Sequence, residues 1–589
     1  MSWKKAVSTG AMAGPSTADL FATLRDESAP LSADVMEAFA SGMKLDLASS
    51  GAECRAEVED LVRASVACSA ADRAAEALIV DVRSPGEFAR GHVPGALNIP
   101  LFTDDERAKV GTAFAKQGRG VAMVLGMKAV RPKLVRLVNE VVRLVEAKEA
   151  EPSRASARAR GHAPLVVYVH CWRGGMRSSS LTWLLLHAAP PGSLDARVVR
   201  GGYKAFRRFV LTRWHTPASL TRASSSSSVA SSASTSSSLF EDAAGGSRAA
   251  EKPGVEKWPE PRVCIIGGRT GVGKTAALLG LRAAGERVID LEGVAAHSGS
   301  AFGWVGRPPA QPTSEHFSNL VAMQWVALTS PPRRASASFA EPDPDAEATP
   351  NGDAAPARAR WIFIEDEGPH VGKCSVDPGL FARMRHAPLV VNVVAPRATR
   401  LRTLVDDYAA DAHRLDPAWL GAMDESVGKL RKRLGNERAD ALRARLREGD
   451  FAAVADGLLE YYDALYDKHL GNTRVEKREK QAARARREAR DDAPSARDDA
   501  TRNGNVSSRV FERLELGDAA PPSPPAEAAL EQAARAGKVV ECRARAVGEC
   551  DREGRHPDSL DVDALVRAIL RTVASFEAEE ARSDAERLE

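Results

Sequence analysis

The chain has 589 residues, with 82 Lys and Arg against 79 Asp and Glu, so its formal charge of +3 excludes a global field of the kind that marks nucleic-acid binders. That length exceeds what one core can organise and implies about three or four units. Seven scattered cysteines without a CxxC pair argue against a disulfide scaffold or zinc site and for a reducing compartment, and no apolar run reaches the roughly 18–20 residues of a membrane span.

Residues 1–74 form an N-terminal extension, partly helical or disordered, with Leu20, Leu24, Val35, Phe39, Leu61 and Val62 at mixed helical spacings. Its first 18 residues carry Lys4 and Lys5 and no acid, a composition shared by organellar transit peptides and disordered termini. A cytoplasmic location is expected, with a mitochondrial or chloroplast one as the alternative. From 75 to 217 strands alternate with helices. Ala77–Arg83 is a short β run, 128–150 an amphipathic helix, 151–163 a polar insert, Leu165–His170 a second strand and Arg197–Tyr203 a strand and turn. This alternation predicts an α/β domain with a mainly parallel sheet. Residues 218–258, dominated by Ser, Ala and Gly, read as a flexible linker.

A second α/β domain is expected over 259–473, with strands at Val263–Ile266, Gly285–Leu291, Trp361–Glu367 and Leu389–Val394, an insert near 332–359, and helices across 397–470. The remaining 474–589 reads as a charged, largely disordered tail that begins with the basic run Arg474–Arg490 and holds an amphipathic pattern at 560–575 that suits a C-terminal helix.

Two loops carry chemistry. Gly268-Arg269-Thr270-Gly271-Val272-Gly273-Lys274-Thr275 stands between a strand and a helix start, which is the P-loop pattern in its required context. Gly268, Gly271 and Gly273 let backbone N–H groups approach phosphate oxygens, Lys274 supplies positive charge, and Thr275 offers a hydroxyl to a metal ion. Asp290 and Glu292 follow the next strand, and Glu365 and Asp366 end another. Acids there hold magnesium, contact substrate or simply form turns.

The other loop follows Leu165–His170. In Cys171-Trp172-Arg173-Gly174-Gly175-Met176-Arg177-Ser178 the glycines permit the backbone to curl around the sulfur, and Arg173 and Arg177 are placed to meet an oxyanion. The helix that follows adds positive potential, an environment that favours a reactive thiolate. His170-Cys171-x-x-Gly174-x-x-Arg177-Ser178 fits the tyrosine-phosphatase signature, whereas Asp81-Val82-Arg83 through Gly91-His92-Val93-Pro94-Gly95-Ala96 resembles the rhodanese domain. Asp81 and Arg83 are expected to order the turn beside the cysteine loop.

The full set of motifs is more specific. The rhodanese-like segment, Asp105-Glu106-Arg107, Val110-Gly111-Thr112, the cysteine loop and a P-loop domain occur in this order. Ile289-Asp290-Leu291-Glu292-Gly293, His297-x-Gly299-Ser300, Gln311-Pro312, Glu365-Asp366-Glu367 and Tyr461-Tyr462-Asp463-x-x-Tyr466-Asp467 follow. Together they resemble the tRNA 2-selenouridine synthase family over about 75–473. The resemblance implies a transferase that converts wobble 2-thiouridine of tRNA to 2-selenouridine through S-geranyl-2-thiouridine. Its co-substrates would be geranyl diphosphate and then selenophosphate, with magnesium as an accompanying ion and a selenophosphate-producing enzyme as supplier. Cys171 would carry selenium, the loop arginines and glycines would hold selenophosphate, and the P-loop would hold the prenyl diphosphate. Phe302, Trp304 and Trp325 are candidates for a prenyl pocket or for ordinary core. Arg200, Lys204, Arg207, Arg208, the helices at 428–447 and the run at 474–490 are candidates for tRNA contact. A sulfurtransferase fused to a P-loop ATPase or kinase, and a phosphatase-like rhodanese module, are the alternatives.

Overall fold

The computed structural model describes residues 54–69, 77–214 (without 162, 190 and 191), 261–329 (without 307–309), 361–470 (without 410–415), 538–544 and 559–588, plus Glu37, Ala40, Ser41, Met43 and Leu47. The linker, the insert at 332–359 and the basic run at 474–490 lie outside the described residues.

The first domain is a five-stranded sheet of β1 (Arg55–Ala56), β2 (Ala77–Asp81), β3 (Ala96–Asn98), β4 (Leu165–His170) and β5 (Leu194–Val199), all parallel, in the order β1-β5-β4-β2-β3. Parallel strands are buried on both faces, which is why Ala77–Asp81 is a near-continuous apolar run with every residue buried. Around it lie α1 (Val58–Ser69), α2 (Pro85–Arg90), α3 (Asp104–Gln117), α4 (Arg119–Val130), α5 (Leu134–Glu149), α6 (Pro152–Ala159), α7 (Met176–Ala188) and α8 (Gly202–Thr212). The single helix expected over 128–150 is interrupted at Arg131–Lys133, where Pro132 cannot donate to the preceding turn. α5 keeps the expected amphipathic face, with Leu137, Val138, Val141 and Val145 inward. The polar segment 151–163 contains α6, because Arg154 is buried and ties Glu149 and the Ala163 carbonyl together.

The second domain holds β6 (Arg262–Gly268), α9 (Lys274–Ala283), β7 (Val288–Ile289), α10 (Leu291–Ala295), α11 (Ser314–Thr329) and β8 (Trp361–Glu365). A small antiparallel pair, β9 (His370–Val371) and β10 (Cys374–Ser375), precedes α12 (Pro378–Arg385) and β11 (Leu389–Val394). Then come α13 (Arg397–Tyr408), α14 (Pro417–Lys429), α15 (Arg431–Leu434), α16 (Asn436–Glu448), α17 (Phe451–Leu470), β12 (Lys538–Arg543) and α18 (Val562–Leu588). Its main sheet is parallel, in the order β12-β11-β6-β8-β7.

The amphipathic pattern at 560–575 falls largely in α18, the C-terminal helix it suggested, whereas the strand β12 departs from the expected tail. β12 pairs with β11 from Leu389↔Lys538 to Val394↔Arg543, and α18 buries Leu565, Val566, Ile569, Val573 and Phe576 against the sheet and α9. The short apolar run of β12 is hidden in sequence by its charged surroundings, and only pairing with β11 makes it a strand.

The two domains share a core. Phe317, Val321 and Trp325 of α11 pack in one cluster with Leu61 and Val62 of α1 and Tyr203, Phe206 and Val210 of α8. Trp325 meets Trp214 edge-on at 5.1 Å, so it belongs to this joint. Among the described residues, no helix is long and apolar enough to cross a membrane.

Candidate active site

Cys171 stands at the C-terminal end of β4, and α7 starts five residues later. Its side chain is buried, and the Gly175 N–H donates to Sγ at 3.3 Å. Ser178 Oγ lies 3.3 Å from Sγ and 3.0 Å from the Gly175 carbonyl. The curl depends on Gly174 at φ 64°, where a Cβ would stand 2.3 Å from the Val199 carbonyl oxygen. Gly202 closes the loop from outside, since a Cβ there would lie 2.3 Å from the Cys171 carbonyl oxygen. Gly175 has no such constraint: it caps α7 with extended backbone and open space at its Cβ position. Arg173 is exposed, whereas Arg177 donates to Glu87 at 3.1 Å instead of presenting a free fork.

Behind the loop, Arg83 is buried and holds Asp81 (Nη2–Oδ2 2.6 Å) and the Gly91 carbonyl (2.8 Å). Burial alone would raise the Asp81 carboxyl, but His170 and the Arg83 guanidinium outweigh it and hold the group below its ordinary range. The Arg83 guanidinium also stacks on the Tyr203 ring at 3.8 Å. Asp81 and Arg83 therefore order the turn after β2 and reach the cysteine loop through Tyr203, whose N–H holds the Cys171 carbonyl.

The P-loop joins β6 to α9. Gly268, Gly271 and Gly273 all have positive φ, and a Cβ at Gly271 would lie 2.7 Å from the Arg400 carbonyl oxygen. Lys274 Nζ folds onto the Gly268 carbonyl at 3.1 Å. The Tyr461–Asp467 motif braces this loop from α17. The Gly268 N–H donates to Tyr466 Oη at 2.5 Å. Asp463 pairs with Arg400, whose Nε donates to the Thr270 carbonyl at 2.9 Å.

The predicted acids separate. Asp290 caps α10 by accepting from the Gly293 N–H at 2.7 Å, and it does not line the P-loop cavity. Glu292 does, and it accepts from Thr275 Oγ1 at 3.1 Å. Glu365 is fully buried, accepts from the Glu292 N–H at 2.6 Å, and is raised well above its ordinary range by burial and by Glu292. Asp366 lines the cavity and pairs with Arg385 at 2.7 Å. Glu367, the third acid of that run, is one the sequence did not single out. It lines the cavity, and burial together with the neighbouring Glu292 pushes it up to about 8. Among the described residues, no three acidic, His or Cys side chains form a ready metal cage.

From this polar end a cavity of about 800 Å³ runs between α13, α14, α16 and α17. Its walls include Leu404, Tyr408, Trp419, Met423, Phe451 and Leu458. Of the aromatic candidates, Phe302 lines it, whereas Trp304 lies outside under Lys429 and Trp325 is in the joint between domains. His297 is buried and outside the cavity lining.

The sequence matches known proteins. The family model described as the tRNA 2-selenouridine synthase AAA domain matches residues 261–337 and 353–490, and the rhodanese-like domain matches 67–124. A tRNA 2-selenouridine synthase of Pseudomonas entomophila is 32% identical over 450 residues, 70% of this chain and 95% of its own length. The chain belongs to the tRNA 2-selenouridine synthase family. Relatives of the same name from Pseudomonas putida F1 (30% identical, 70% of this chain and 95% of theirs) and Psychromonas ingrahamii (27%, 67% and 87%) agree. β12 and α18 lie beyond the residues matched by the tRNA 2-selenouridine synthase AAA model.

Basic side chains sort unevenly in this family member. Arg431, Arg438, Arg443, Arg445 and Arg447, from the candidate helices at 428–447, are ion-paired with acids. Near the cysteine loop, Arg200 meets Glu57 at 3.3 Å, and Arg207 turns inward to Ser318 and Asn319. Arg173, Lys204 and Arg208 remain as exposed charge there.

Proposed function

We propose that the protein is a tRNA-modifying transferase that converts wobble 2-thiouridine to 2-selenouridine in two steps, with S-geranyl-2-thiouridine between them. The observation that carries this reading is the continuity of the P-loop with the apolar cavity of about 800 Å³. Beyond its phosphates a nucleoside triphosphate presents a polar ribose before its base, whereas a prenyl diphosphate has a charged head joined directly to a hydrocarbon tail, which match the two ends.

In the first step the thiouridine sulfur attacks the geranyl carbon, the C–O bond to diphosphate breaks, and Lys274 with the loop N–H groups stabilises the leaving charge. In the second, the selenium of selenophosphate held at the Cys171 loop attacks C2 of the base, the C2–S bond breaks and geranylthiol departs, and water then cleaves the Se–P bond and releases phosphate. The Cys171 loop and exposed Arg173 hold the selenophosphate oxyanion.

Magnesium fits the polar end. Thr275 and Glu292 already meet there, Glu367 lines the same end, and magnesium commonly completes its shell with substrate phosphates. Bound, it would supply charge opposite the diphosphate.

The test expresses wild type, Cys171→Ser and Lys274→Ala in a host without this activity and analyses tRNA nucleosides by mass spectrometry. Wild type is expected to yield selenouridine, Cys171→Ser to stall at geranyl-thiouridine, and Lys274→Ala to leave thiouridine unchanged. A wild type that leaves thiouridine untouched when both donors are supplied would overturn the reading.

A further inference from the structure

α17 lines the cavity along its length. Phe451, Val454, Ala455, Leu458, Tyr462 and Tyr466 recur at helical spacing and form one stripe facing it. One end of the stripe is fixed to the P-loop, where the Gly268 N–H donates to Tyr466 Oη at 2.5 Å. Phe451 then lies about 22 Å away along the axis, given a helical rise of ~1.5 Å per residue. There Trp419 of α14 packs edge-on against it, with ring centroids 5.5 Å apart and planes at 81°. Both rings line the cavity, and Trp419 also belongs to the buried core of the helical layer.

We propose that the Trp419–Phe451 pair closes the far end of this chamber and limits the length of the prenyl chain the protein accepts from its diphosphate donor. The inference rests on the prenyl diphosphate reading above. With the diphosphate anchored at Lys274, each added isoprene unit advances the chain terminus toward two rings that are packed against each other and against the helical layer. Neither ring can yield without opening that layer, so a chain that overruns the chamber is rejected by overlap. Ala455 lies one turn from Phe451 on the same stripe, so bulk there shortens the chamber from the same end.

Wild type, Trp419→Ala and Ala455→Phe are each given equimolar geranyl and farnesyl diphosphate with tRNA that contains 2-thiouridine. The two S-prenylated nucleosides are then quantified by mass spectrometry, with thermal unfolding recorded for each protein. Removing the indole is expected to raise the farnesyl-to-geranyl product ratio at least ~10-fold, and filling the stripe to lower it by a similar factor, the range typical of pocket-size discrimination. Ala455→Phe decides the matter if Trp419→Ala does not fold. Folded variants that prenylate with the wild-type ratio would overturn the length limit and leave the prenyl donor standing. A wild type that transfers neither chain would overturn the donor reading, and the length limit with it.

Discussion

Tyr203 donates its hydroxyl hydrogen to Glu315 at 2.6 Å across the joint between the domains, while its main-chain N–H holds the Cys171 carbonyl at 2.9 Å. One fully buried side chain thus connects the cysteine loop to α11 of the P-loop domain. Asn319 strengthens the link by donating to the same hydroxyl at 2.9 Å and to the His92 carbonyl at 2.9 Å. Burial, then the Glu315 carboxylate, pushes the phenol up, so it remains a donor at every physiological pH.

Tyr203→Phe keeps the ring against Arg83 but removes the hydroxyl from both partners. A buried hydrogen bond to a charged group contributes about 1.5–3 kcal/mol, and a loss of that size is expected in urea unfolding.

Glycine substitutions should divide sharply at the cysteine loop. Gly174→Ala and Gly202→Ala each drive a methyl to 2.3 Å from a carbonyl oxygen and also require a left-handed backbone, so each should cost about 3 kcal/mol or more and abolish selenouridine formation. Gly175→Ala meets nothing within 4 Å and should stay within about 1 kcal/mol of wild type. Thermal unfolding and tRNA nucleoside analysis measure both effects.

Local patterns transferred well: the β6–P-loop–α9 unit and the β4–Cys171–α7 unit are set by apolar runs and glycines within a few residues of one another. What escaped depends on partners distant in sequence. Arg177 looked free until Glu87, ninety positions away, claimed it. The arginines at 428–447 looked like a basic surface until Asp424, Asp440, Asp450 and Glu460 were seen beside them. The stripe on α17 has the periodicity of an ordinary core face, and periodicity cannot distinguish side chains that meet a neighbour from side chains that face a chamber. Nor does a run of three acids reveal that burial and Glu292 push Glu365 and Glu367 up.

Glu367, at the cavity wall, predicts a pH dependence. Glu367 is pushed up to about 8 from an ordinary value near 4.5, so the folded protein binds a proton that the unfolded chain releases. Its contribution to stability is complete below about pH 4.5 and is lost as pH rises through about 8. Thermal midpoints should therefore fall across this window, and Glu367→Gln should flatten the decline by keeping the hydrogen-bonding amide neutral. Equal slopes for the two proteins would show that Glu367 is ionised in the fold.

The C-terminal segment should prove structural, although it follows a long charged stretch. Deleting 538–589 would unpair the edge of β11 and uncover the face of α9, where Gly280 is packed so closely that a Cβ would lie 2.7 Å from Val566 Cγ2. Leu560 reaches the P-loop itself, since a Cβ on Gly273 would lie 2.2 Å from its Cδ2. The truncated protein is expected to aggregate on expression. Phe576→Ala is a gentler test, because that ring is buried edge-on against Trp361 at 5.9 Å beneath the Arg262 guanidinium. It should cost about 3–5 kcal/mol, as large core truncations do, whereas Phe114→Ala, at a ring that is 60% exposed, should cost well under that. Unfolding curves that place the two variants together would show that α18 is not part of the P-loop domain's core.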